Sequence, residues 1–94
     1  MEPEAARQAS ATVETAAGQT RMTVRDLASV LGRTAKALEQ SAILAEQHAR
    51  RRERAGRMEA AAEERRAAGR AHEAAARARA RAEQWLKLLE GRET

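Results

Sequence analysis

The chain has 94 residues, a formal charge of +4 and no cysteine, so disulfides, thiolate metal sites and cysteine nucleophiles are excluded. Phe and Tyr are absent, and alanine supplies more than half of the 43% hydrophobic content. Alanine buries little area, so a compact globule with a reactive cleft is not expected, and Ala/Glu/Arg/Leu richness predicts long helices.

Residues 1–21 read as a flexible leader. Ser10, Thr12, Thr15, Gly18 and Thr20 lie among alanines, and Val13 is the one sizeable apolar side chain before Met22 apart from Met1. Such a segment buries too little to offset its ordering entropy, although a transient helix over residues 4–17 is compatible with it. Its acidic start, Met1-Glu2-Pro3-Glu4, lacks the apolar stretch of a secretory signal. No apolar run approaches a membrane span, so the expected location is the cytoplasm.

A helix start is expected within two residues of Thr23. Thr23 is a good N-cap residue, Asp26 sits three residues on, and Met22 and Leu27 hold the positions of a hydrophobic staple. Two heptad frames follow. The first has rows Val24, Leu31, Leu38, Ala45 and Leu27, Thr34, Ser41, His48. The second has rows Ala61, Ala68, Ala75, Ala82, Leu89 and Glu64, Ala71, Ala78, Trp85.

The frames do not join in phase, and Gly56 lies in the slip. The reading is therefore an all-α antiparallel helical hairpin, an Ala-rich coiled coil spanning 22–91. Its arms are 23–54 and 58–90, its turn is near Gly56, and 92–94 form a tail. Large residues of the first arm are expected to sit over small residues of the second, with Leu27, Leu31, Leu38, Trp85 and Leu89 holding the seam. One continuous helix is the alternative, since a single interior Gly costs only ~1 kcal/mol. Gly91 predicts the C-terminal stop. Glu46–Arg50, Glu53–Arg57, Glu73–Arg77 and Glu83–Lys87 are spaced for surface ion pairs along each arm.

Val30, Ile43 and Leu44 flank the first seam, and Trp85 and Leu88 crowd the far end. Exposed apolar flanks on a thin hairpin mark association, so these five residues are expected to bind a helical partner or a second copy, with a four-helix bundle as the outcome. The function expected is that of a non-enzymatic adaptor, assembly or regulatory module, with no cofactor and no metal. His48 and His72 are too few to make a metal site.

The alternative is nucleic-acid binding. Arg50, Arg51, Arg52, Arg54 and Arg57 form the one dense basic run, a possible polyanion contact, but no aromatic residues interleave it to stack bases. Leu27-Ala28, Leu31-Gly32, Ala35 and Leu38 are spaced in a way that resembles the helix-turn-helix of bacterial repressors. That resemblance implies a turn at Gly32, with Arg33, Thr34 and Lys36 facing the groove. It covers only 23–41 and departs from the pattern at Arg33 and Ser41.

Overall fold

The computed structural model describes residues 3–93, with side chains over 4–91. Helix α1 spans Pro3–Arg54 and α2 spans Met58–Glu93, and they pack along each other as an antiparallel hairpin. No strand occurs among the described residues. The molecule is a rod of 81 × 18 × 13 Å. Its radius of gyration is 22.6 Å, against about 12 Å for a compact domain of this length.

A three-residue link reverses the chain, and a single glycine is enough because of how it caps α1. The Arg57 amide donates to the Arg52 carbonyl at 2.8 Å, and the Gly56 amide donates to the Glu53 carbonyl at 2.9 Å. These two bonds form a Schellman cap, which needs one left-handed residue. Gly56 supplies it, with φ of 77°. Arg57 then caps the start of α2, since the Ala61 amide donates to the Arg57 carbonyl at 3.0 Å.

The expected helix start at Thr23 is corrected. Residues 3–22 continue α1 without a break, and Thr23 is an interior residue. Its hydroxyl donates to the Gln19 carbonyl at 2.9 Å, and Thr12, Thr15 and Thr20 each bond the carbonyl four residues back in the same way. Upstream Ala, Gln, Glu and Arg favour helix, and Pro3 fits a first turn that needs no amide donor. The local capping signal at Thr23 is overridden by that propensity. What marks the leader is packing: every side chain from Glu4 to Ala17 is exposed. Gly91 does not end α2, which runs on through Arg92 and Glu93; of the expected tail, only Thr94 lies outside the described residues, as do Met1 and Glu2 of the leader.

The seam is alanine on alanine. Ala28, Ala35, Ala42 and Ala49 are buried on α1, and Ala61, Ala68, Ala75 and Leu89 on α2. The second frame is as expected, with Ala82 half-buried between Ala75 and Leu89. The first frame is shifted. Val24, Leu31, Leu38 and Ala45 are only half-buried along the edge of the seam, while Leu27, Thr34 and Ser41 are exposed. Methyl-sized contacts let two helix backbones approach closely, whereas a leucine row between them would hold them apart. The leucines therefore lie beside the seam. Among the described residues no large side chain is fully buried.

Candidate interaction face

The two edges of the seam differ in chemistry. On one edge Glu39, Glu46 and Glu53, spaced by seven, meet Arg79, His72 and Arg65, spaced by seven in reverse. Arg79 clasps Glu39 through Nε and Nη2, which donate to the two carboxylate oxygens at 2.9 and 2.7 Å. His72 Nε2 lies 3.2 Å from Glu46 Oε1, and Arg65 pairs with Glu53. Hydrogen bonding to their arginines holds the Glu39 and Glu53 carboxyls below the usual carboxylate range. Glu46 and Glu53 thus use their carboxylates across the seam, a different arrangement from the expected pairing along α1.

On the other edge Arg52 pairs with Glu64 at 3.4 Å, beside the turn. Beyond it α1 presents Ala45, Leu38 and Leu31, and α2 presents Ala71, Ala78 and Trp85. At the open end Leu27, Leu31, Trp85 and Leu88 line a cleft of about 400 Å³ together with Arg81 and Gln84. Trp85 packs there yet remains 37% exposed.

This apolar edge continues around the back of α1. Helical geometry stacks residues spaced by three, four and seven into one stripe. Leu27, Val30, Leu31, Thr34, Ala37, Leu38, Ser41, Leu44 and Ala45 form such a stripe. Followed toward the N-terminus, the same positions are Ala6, Ala9, Ser10, Val13, Ala16, Ala17, Thr20, Thr23 and Val24. From Ala6 to His48 the stripe holds no Asp, Glu, Lys or Arg, although α1 carries charges on all its other faces. Val13 is 67% exposed, Val30 47% and Leu44 51%.

The five residues predicted to meet a partner do not share one face. Val30 and Leu44 lie in the stripe, and Trp85 and Leu88 line the cleft beside it. Ile43, although 51% exposed, lies about 100° around α1 from Leu44. It shares a row with Lys36 and Arg50, toward the charged edge. Stripe membership is set by period, and Ile43 is out of phase with Val30; the sequence alone carried that signal. The buried alanine row is equally legible in the seven-residue spacing, but small side chains draw less attention than leucines.

The basic run is not one surface. Arg52 is taken by Glu64. Arg50 lines a cleft with Glu46, Arg65 and His72, while Arg51 and Arg57 line another with His48. Arg50, Arg51, Arg54 and Arg57 are exposed, arranged around the turn. His48 and His72 open into different clefts, and among the described residues no cluster of metal-binding side chains forms. Residues 23–41 lie within α1 without a turn, and Gly32 is helical, so the helix-turn-helix resemblance fails at its turn. A lone glycine does not break a helix whose neighbours favour it. No described helix is long and apolar enough to cross a membrane.

No family model, curated protein or solved structure matches this chain.

Proposed function

We propose that this chain is a non-enzymatic helix-binding module, an adaptor or assembly protein of the cytoplasm, that works through the uncharged stripe on α1 and the Trp85–Leu88 cleft beside it. The observation carrying this reading is the exposure of Val13, Leu27, Val30 and Leu44 along one side of α1, whose other sides are charged, with Leu88 of α2 exposed beside them. Apolar side chains arranged as a long stripe at helical spacing fit an amphipathic helix better than a small molecule, since a helix covers a stripe along its whole length. The clefts beside the stripe are open to solvent and lined mainly by Leu27, Leu31, Leu38, Trp85 and Leu88, which suits an apolar helix face.

The test uses three chains: wild type, Val30→Glu/Leu44→Glu in the stripe, and Ile43→Glu on the other side. All three positions are exposed, so the hairpin should fold in each. Association, whether with itself in sedimentation or with captured proteins in quantitative mass spectrometry, is expected to be lost in the stripe variant and kept in Ile43→Glu. Equal association by all three would remove the stripe from consideration.

A further inference from the structure

We infer that the occupant of the stripe is the stripe of a second copy, laid antiparallel, so that the leader of each chain completes the hairpin of the other. This inference rests on the reading of the stripe as a helix-binding face and adds its partner and register.

The first observation is that the uncharged stripe does not stop where the hairpin stops. It keeps its heptad phase through residues 6–24, a segment whose residues 4–17 touch nothing else in the chain closely enough to be covered. A leader serving only as a solvated extension has no need of a stripe in phase with Leu27, Val30 and Leu44. A leader that packs on a helix does.

The second observation is that the charges fix one register. One margin of the stripe is the row Thr12, Gln19, Asp26, Arg33, Gln40, Gln47. In an antiparallel pair such a row faces its own copy. When Leu27 packs on Val30 of the second copy, Asp26 meets Arg33 of the second copy, and the twofold axis repeats that contact. The remaining members pair Gln19 with Gln40 and Thr12 with Gln47. Sliding by one heptad brings Asp26 onto Asp26 of the second copy in one direction and Arg33 onto Arg33 in the other. Both are like-charge contacts, which disfavour the slipped registers.

The third is that side-chain sizes agree with that register. Leu27 on Val30 fills the centre twice, and Val13 lies on Leu44 toward each end. Thr20 lies on Ala37 and Ser41 on Ala16, small against small. At the edge, Leu31 meets Val24 and Leu38 meets Ala17 of the second copy. The overlap runs the length of α1, roughly 78 Å at ~1.5 Å per residue. In each half of the assembly the α1 of one chain lies between its own α2 and the leader of the other chain. The cleft at Trp85, Leu27 and Leu31 is closed by Val24 of the second copy.

The experiment exploits a chain with no cysteine and one tryptophan. Thr12→Cys and Gln47→Cys chains are made separately and mixed under oxidation. Within one α1 these positions are about 52 Å apart, so a disulfide between them joins two molecules. The expected result is efficient heterodimer formation, with little Thr12→Cys homodimer. Sedimentation of the wild type is expected to give twice 10.3 kDa, with Trp85 emission shifting to shorter wavelength as the dimer forms. Asp26→Arg is expected to weaken the dimer about tenfold, and Asp26→Arg/Arg33→Asp to restore it. Same-site disulfides at residue 12, or no rescue by the charge exchange, would overturn the antiparallel register while leaving the stripe as an interface. A wild type that stays monomeric at submillimolar concentration would overturn self-association; the stripe reading is then judged by Val30→Glu/Leu44→Glu against captured partners.

Discussion

Two stretches of the same helix, α1 before and after about Val24, are built on one heptad frame, and one row separates them most clearly. In the paired stretch that row reads Ala28, Ala35, Ala42, Ala49, and all four are buried against α2. In the leader the same row reads Arg7, Glu14, Arg21, all exposed. The change falls where α2 ends alongside α1. Meanwhile the neighbouring stripe stays free of charge on both sides of the boundary, although its side chains shrink from Leu27, Val30, Leu31 and Leu44 to Ala, Ser and Thr around Val13. The row that α2 covers changes from charged to alanine, while the stripe keeps its uncharged character where α2 no longer runs beside it. That continuity is what the proposed association with a second copy would account for.

The strongest way to break this contrast is a charge in the buried row. Ala42→Glu is expected to cost several kcal/mol, because an unpaired carboxylate enters a seam with no space for it; thermal melting by circular dichroism reads this. Ala42→Leu is expected to cost about 1–3 kcal/mol by forcing the helices apart. The turn comes next. Gly56→Ala retains the link but places a side chain at φ of 77°, at a cost of about 1–2 kcal/mol.

Acid sharpens the comparison between the two edges. Glu39 and Glu53 titrate below the ordinary value of 4.5. Their pairing contributes fully above that value and is lost as pH falls below it, through their depressed folded values. The melting temperature is expected to be flat from neutral pH down to about 5 and to fall below that, with Glu39→Gln flattening part of the decline. Smallest of all, Arg21→Ala lies in the same row as Ala42, outside the seam, and is expected to change stability by less than about 0.5 kcal/mol. A large loss there would show that the leader is packed within the single chain.

Much of this fold is readable in the residues. The slip between frames around Gly56, the Ala61–Leu89 row and the antiparallel pairing all follow from spacing. The first arm is misjudged because side-chain size is an unreliable guide when both helices offer alanine: the closest approach belongs to the smallest row, and the leucines take the margin. Thr23 misleads because a cap is a local preference that a favourable upstream sequence overrules. The turn at Gly56 is legible in the frame slip, but why one glycine suffices is explained only by the Schellman bonds to Arg52 and Glu53, which depend on backbone geometry. Of the proposed interaction face, Val30, Leu44, Trp85 and Leu88 come from apolarity alone, whereas setting Ile43 apart from it requires phase.

The methyl seam also has a calorimetric signature. Alanine has no side-chain torsion to freeze, so closing the hairpin sacrifices little rotational freedom. It also removes little apolar surface from water, and that surface governs the heat-capacity increment of unfolding. The single hairpin should therefore have an increment per residue below the usual ~12–15 cal/mol/K, a shallow stability curve and a broad melt. Any sharpening of that transition with rising concentration would report apolar area contributed by contacts between chains.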